Sequence, residues 1–401
     1  MADVPKLIDQ RVVQAPIEDK IRLSLLATAL VDALGGPVEF HRRFTFPLTT
    51  SLSPNRNFPG HGVLAPGTWT DDTSMTLCLA RSIAKKGFDE ADQLKAYANW
   101  YRKGELSAIG VCFDIGRTIH TAVEIYLSSD SPKAALDAVG TQLAASHNAG
   151  NGSLMRILPV GLAYWKDPVT AKAYARKSSA TTHPTPVCLE ACAVWTEAIV
   201  TILQQSSNEH TTYSKLDLLT FFTHYPYETD ALRSALTVPA TAPSFIEGPD
   251  ADLEAYYQRY HPILRLVVAT ASASTQDKRA TQSTRPDFPY SLPSAKDVPS
   301  SGYVLHTLVA ALYCLFATDT FEAGAIMAVN LGDDADTVGA VYAGIAGCWY
   351  AKSDSESAHS EGTRHLFWSE KVREWKAGLV RRDLVDQVAE ELVLFQNGPS
   401  P

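Results

Sequence analysis

The stretch VNLGDDADTVGAVYAGIAGCWY, residues 329–350, packs Asp333, Asp334 and Asp336 into four positions, followed at once by Thr337 and an apolar helical pattern. Acids at a helix N-terminus are favoured by its dipole, by about 0.3–1 kcal/mol each when exposed, so a single aspartate would serve as a cap. Three repel one another, and burial makes that repulsion costlier unless a cation or proton uptake relieves it. No Lys or Arg occurs from 321 to 350. Ala340, Ala343, Gly344 and Gly347 recur at helical spacing beyond the acids, a small-residue face that lets another helix approach and carries the carboxylates into a bundle. Two readings stand side by side: a capped helix, or hard oxygen ligands around a divalent cation.

A second segment, PGTWTDDTSMTLCLARSI at 66–83, repeats this chemistry. Thr70, Asp71, Asp72 and Thr73 precede a helix with Met75, Cys78, Leu79 and Ile83 on one face, again with no base beside the acids. Hydroxyl plus adjacent carboxylates suits Mg²⁺ or Mn²⁺, and two such half-sites facing each other would hold two cations that activate water. Capping is the plain alternative for Thr70 or Thr73 alone. In LVDALGGPVEF, residues 30–40, a helix ends at Gly35-Gly36, Pro37 prevents its continuation, and Glu39 follows on what reads as a mobile, solvated edge. SHNAGNGSLMRILPVGL, residues 146–162, places Gly150, Asn151, Gly152 and Ser153 in a turn whose backbone N–H groups suit a phosphate, though such turns are also ordinary. His183 precedes a helix and reads equally as a cap.

The elements that must position these residues are helices. Apolar residues recur at helical spacing in most segments, including 17–35, 74–87, 90–104, 131–146, 168–182, 184–205 and 302–319, and no βαβ series is present, so the class is all-α. The 401 residues are 45% hydrophobic and 20% charged, a globular composition read as one domain over 1–401, with polar insertions at about 237–260 and 270–301 and a C-terminal helical extension at about 360–395. The net charge of −9 opposes nucleic acid and anionic membrane as partners. The first twenty residues carry acids and prolines where a signal peptide needs an apolar run, and no stretch reads as long and clean enough to span a bilayer, so a cytoplasmic protein is expected. The six cysteines read as reduced core residues; His183, Cys188 and Cys192 lack the fourth ligand a zinc site needs.

Taken together, DALGGPVEF, WTDDTSM, VCFDIGRT, GNGSLMRILPVGL, ATTHPTPVCLEA, SSGYVLHTLVAAL and VNLGDDADTVGAVYAGIAG resemble the blocks of the ADP-ribosylglycohydrolase family, over about 21–350. The resemblance implies a compact orthogonal multi-helix bundle and a binuclear Mg²⁺ centre, with Mn²⁺ as substitute, on Thr70, Asp71, Asp72, Asp334, Asp336 and Thr337, beside the distal ribose of ADP-ribose. It places Glu39 on a loop closing over the substrate, Asp72 and Asp114 with it in catalysis, Gly150, Asn151, Gly152 and Ser153 along the diphosphate, and His183 near the cleft. Asp333 falls outside the ligand positions. Val31, His306 and Val309 depart from the family pattern, which bears on substrate preference and lid geometry. The implied activity is removal of ADP-ribose from a modified side chain, arginine first and serine next, or from a small ADP-ribosyl compound, by a monomer. The competing readings are a non-catalytic ADP-ribose-binding regulator and a Mg²⁺-dependent phosphohydrolase cutting the diphosphate.

Overall fold

The computed structural model describes residues 6–58, 60–248, 251–272, 291–354 and 366–398. Among these the chain forms seventeen α-helices, three isolated bridges and no strand. They are α1 (Ile17–Gly35), α2 (Asp71–Lys86), α3 (Glu90–Lys103), α4 (Arg117–Ser128), α5 (Pro132–Gln142), α6 (Leu158–Ala163), α7 (Pro168–Ala180), α8 (Pro186–Ser206) and α9 (Lys215–His224). The remainder are α10 (Asp230–Leu236), α11 (Leu253–Tyr260), α12 (Pro262–Ser272), α13 (Val304–Ala317), α14 (Phe321–Val329), α15 (Ala335–Tyr350), α16 (Glu370–Gly378) and α17 (Arg382–Asn397). The all-α expectation holds. Local signals set many of the boundaries: Asp89, Ser131, Asp167 and Ser214 cap α3, α5, α7 and α9, and Gly87 and Gly104 end α2 and α3 with positive φ.

The centre of the molecule is the pair α1 and α15. Every residue of α15 is buried. A Cβ on Gly347 would fall 2.8 Å from the Ser24 backbone, and one on Gly339 2.9 Å from Val31 Cγ1, so both must be glycine for the helices to lie this close. Gly344, expected on the same face, instead meets Trp195 of α8. The close approach runs to the end of α1, where a Cβ on Gly35 would sit 2.6 Å from Asp336 Cα. That contact brings the first acidic segment to the end of α1.

Three sequence expectations change. The helices expected as a C-terminal extension belong to the same core: α17 packs on α1 and α2, with Arg22–Glu390 and Arg81–Glu391 ion pairs at 2.7 and 2.8 Å, and Trp69 Nε1 donates to Val380 O at 2.8 Å. The end of the polar stretch expected at about 237–260 folds into α11, and beyond it PILRLVVATAS forms α12 with Ile263, Leu264 and Val267 buried. Of the 270–301 segment, 273–290 lies outside the described residues, 270–272 ends α12, and the part from 291 on is held at Pro293 and Val298 by the buried Arg43. Two helices, Ile17–Val38 and Pro186–Ser206, are in fact long and apolar enough to cross a membrane by length and composition, but 83% and 72% of their apolar windows lie inside the fold.

Replacing Gly347 by valine should overpack the α1–α15 contact and cost about 1–3 kcal/mol. Urea unfolding would show it as a lower midpoint, whereas the exposed Gly140, with open space around its Cα, should accept alanine without loss.

Candidate metal and substrate site

The starts of α2 and α15 meet at the end of α1, and neither is capped by its own side chain: Thr70 and Asp334 occupy the cap positions without making a cap bond. The cap of α2 comes from α1 instead. Asp32 accepts from the backbone N–H of Thr70 at 3.0 and 3.1 Å and of Thr73 at 3.0 Å, and from the hydroxyls of Thr70 at 2.9 Å and Thr73 at 2.5 Å. Both its oxygens are therefore occupied. The Thr70 hydroxyl also lies within donating reach of Asp72 Oδ2 and Asp336 Oδ2, at 3.3 and 3.4 Å, so its single proton serves three carboxylates. The capped-helix reading of Thr70 and Asp334 gives way.

Around Thr70 the carboxylates form two groups that share one member. Oxygens of Asp32, Asp72 and Asp336 lie within 4.8 Å of one another, and so do those of Glu39, Asp334 and Asp336. Thr337 Oγ1 donates to Asp72 Oδ2 at 3.2 Å, and Asn151 Nδ2 to Asp334 Oδ2 at 2.6 Å. Asp72 Oδ1 and Glu39 Oε2 are buried without a hydrogen-bond partner. Among the described residues no ion pair reaches any of these acids. Orphaned buried carboxylate oxygens without a cation fit a hard divalent ion.

The electrostatics agree. Burial, above all, pushes Asp71, Asp72, Asp336, Glu39 and Asp114 well above the usual carboxylate range, with their acidic neighbours adding to it. Asp334 is raised by burial too, opposed by its bond from Asn151. Asp32 is raised to about 6 by burial, against the hydrogen bonds from Thr73 and Thr70.

These acids border a cleft of about 680 Å³ lined by Glu39, Asp71, Asp114, Gly150, Asn151, Gly152, His183, Asp334, Asp336 and Thr337 among others. Glu39 is not the solvated edge its loop position suggested. A 3-10 turn at Gly36–Val38 folds it back until it is only 4% exposed, and Asn57 Nδ2 holds its carbonyl at 3.1 Å. Asp114 is half-buried, with φ of 59°, and reaches the cleft. Thr70 and Asp72 lie just beneath the lining residues, bonded as above. Ser153 stays out of the cleft: it is fully buried and accepts from Ser179 Oγ at 2.8 Å and Cys192 Sγ at 3.5 Å. The sulfur of Cys188 donates to Gly150 O at 3.3 Å, so that cysteine holds the glycine turn. Asp333 lines the cleft with φ of 55°, and its backbone exchanges bonds with the Glu39 loop, Phe40 N to Asp333 O and Asp333 N to His41 O, both at 2.7 Å.

A family model described as ADP-ribosylglycohydrolase matches residues 13–399. The chain belongs to the ADP-ribosylglycohydrolase family. It is thus an enzyme of the hydrolase class, and the matched range takes in α16 and α17 as well as the segment that carried the resemblance. An "ADP-ribosylarginine hydrolase Tri1" of Serratia proteamaculans is 27% identical over 375 residues, 93% of this chain and 79% of its own length. The "ADP-ribosyl-[dinitrogen reductase] glycohydrolase" of Rhodospirillum rubrum is 25% identical over 342 residues, 85% of this chain and 89% of the relative. A solved "ADP-ribosylglycohydrolase-related protein complex" superposes with a TM-score of 0.59 at 29% identity, covering 95% of this chain and 99% of that one.

Asp32 is the site residue that reasoning on the sequence missed. Its signal is a lone acid inside the apolar run LSLLATALVDALG, where a buried carboxylate needs several donors. Asp32→Asn, which offers one acceptor oxygen and turns an NH₂ toward the α2 amides, should cost about 1–3 kcal/mol of stability. It should also weaken Mg²⁺ binding by about 10–100-fold as a group orienting the ligands, read by calorimetry. A pH dependence follows as well. Raised carboxyl pKa values mean the folded state binds more protons than the unfolded chain, so metal-free stability falls as pH rises from the unfolded value near 3.8 through about 6 for Asp32. The melting temperature of EDTA-treated protein should therefore be lower at pH 8 than at pH 5.5, and added Mg²⁺ should raise it more at pH 8.

Proposed function

We propose that the chain is a Mg²⁺-dependent hydrolase that releases ADP-ribose from a modified arginine side chain of a protein, or from a small ADP-ribosyl compound, as a cytoplasmic monomer. The observation that carries this reading is the pair of carboxylate groups sharing Asp336 at a cleft whose wall includes the Gly150–Gly152 turn. Thr70, Asp71, Asp72, Asp334, Asp336 and Thr337 would hold two ions. When bound, such ions stabilise developing negative charge and make water a competent nucleophile near neutral pH.

The protein's own groups supply the rest. The glycine turn at 150–152 suits the diphosphate, and Asn151, bonded to Asp334, fixes its distance from the carboxylates. Hydrolysis breaks the bond between ribose C1 and the acceptor nitrogen, joins a water oxygen to C1, and leaves a proton on the departing guanidine. Glu39 and Asp114, both raised by burial and by neighbouring acids, are the cleft carboxyl groups suited to handling that proton, one as its donor and the other as acceptor for the proton the water gives up. Ser153 supports the turn from below rather than touching substrate. Arginine ranks above serine as acceptor because the Serratia relative is named for arginine and matches over most of both chains.

Incubation with ADP-ribosyl-arginine and ADP-ribosyl-serine peptides, with and without EDTA, separates the alternatives. Intact ADP-ribose, released from the arginine peptide and only with metal present, is the expected product. AMP would identify a phosphohydrolase instead, and binding without product a regulatory ADP-ribose receptor.

A further inference from the structure

The cleft edge of His183 is held by a chain of buried donors that begins at Arg156. That arginine is fully buried and pairs with no carboxylate among the described residues. Its Nε donates to Tyr97 Oη at 3.0 Å, Nη1 to the Gly152 carbonyl at 2.6 Å, and Nη2 to Thr182 Oγ1 at 2.7 Å, with longer bonds to Ser178 O and Thr181 Oγ1, both 3.2 Å. Thr182 Oγ1 in turn lies 2.8 Å from His183 Nδ1.

Donor accounting fixes the direction of that last bond. Thr182 is buried, and its oxygen already accepts from Arg156, so its own proton needs an acceptor. Nδ1 is the acceptor in reach; were Nδ1 protonated instead, the hydroxyl proton would be buried without a partner, a cost of about 1–3 kcal/mol as a general matter, which an arrangement this tightly held avoids. Nδ1 is then a lone pair, and the ring proton sits on Nε2. That nitrogen has no protein partner among the described residues, and the ring lies against the glycine turn: a Cβ on Gly150 would be 3.4 Å from Nε2, and one on Gly152 2.9 Å from Cε1. Burial and the Arg156 charge push the imidazole down to about 3, so it stays neutral across the working range.

We infer that Arg156 and Thr182 are positioning residues that lock His183 in its Nε2–H form and aim that N–H as a neutral donor at an oxygen of the ligand held by the 150–152 turn. Because the same guanidinium grips the Gly152 carbonyl, the turn and the donor move as one unit. Assigning the oxygen to the diphosphate rests on the function proposed above; the locked tautomer does not.

The experiment keeps the two apart. Long-range ¹H–¹⁵N correlation spectra of the full-length, ¹⁵N-histidine-labelled protein, assigned with His183→Gln, should show His183 with a pyrrole-like Nε2 and a pyridine-like Nδ1 from pH 6 to 8. An Nδ1–H tautomer or a protonated ring overturns the proposal, whatever the enzyme hydrolyses. Thr182→Val should lose the single-tautomer signature and weaken ADP-ribose binding about tenfold, the worth of one hydrogen bond. Thr182→Ser should restore both. If Thr182→Val fails to fold, the wild-type spectrum and Thr182→Ser still decide. Unchanged ADP-ribose affinity in a folded Thr182→Val would overturn the aimed donor, and a normal tautomer in a protein that binds no ADP-ribose would overturn the functional reading while leaving the lock in place.

Discussion

Repulsion among buried carboxylates is the constraint on which the rest of this molecule depends. Asp32, Glu39, Asp71, Asp72, Asp114, Asp334 and Asp336 converge from four separate segments, and for each of them burial is the first cause of a raised pKa. Such a cluster would spread apart if its backbone could yield. The α1–α15 contact prevents that, because the glycines that let the helices meet leave no slack between Gly35 and Asp336. Asp32 then pins the start of α2 from α1, so the Asp71–Asp72 pair is fixed relative to Asp336 by two independent holds.

The loops above the cluster are tied by backbone rather than by packing. Phe40 and Asp333 both adopt positive φ, and their reciprocal bonds close a short bridge between the Glu39 loop and the start of α15. For a phenylalanine that conformation costs roughly 1–2 kcal/mol. Phe40 is left 65% exposed at the cleft, with an edge contact to Phe58, so burial of the residue does little to offset that cost. What the strain secures is the inward turn of Glu39. Asp333, the acid without a ligand role in the sequence reading, thus contributes through its main chain.

Much of this was legible before the structure, for identifiable reasons. Helical periodicity carried the fold class, and charge crowding without a compensating base singled out Asp71 and Asp72 and the group Asp333, Asp334 and Asp336, because both are signals that neighbouring residues carry together; only the family resemblance set Asp333 apart. Asp32 escaped because one acid in an apolar helix crowds nothing; its partners, Thr70 and Thr73, are some forty residues on and meet it only in three dimensions. Glu39 was read as solvated because loop position is local, whereas its burial depends on the bridge to Asp333. Ser153 belongs to the same turn as Gly150–Gly152, but a turn directs successive side chains to different sides, and this one goes to the interior, a direction that residue type alone does not reveal.

Among the described residues no lysine or arginine pairs with these acids, although Arg43 and Arg156 are both buried. Arg43 donates to the carbonyls of Leu331, Pro293 and Val298 at 2.8, 2.7 and 2.6 Å, and Arg156 to those of Gly152 and Ser178. Both are largely spent on carbonyls of loops and of the last turn of α7, which α-helical bonds leave free, with Arg156 also donating to Tyr97 and Thr182. Burial lowers Arg43 to about 10, which still leaves it charged. A guanidinium is too broad and too directional to sit among several converging carboxylates, but its fork matches diverging carbonyls well. Allocating arginine to the loops and withholding it from the acids makes the loops rigid and leaves the carboxylates underneutralised. That division explains how one site can be both firmly built and electrostatically unsatisfied, as a site made for a metal cation would be.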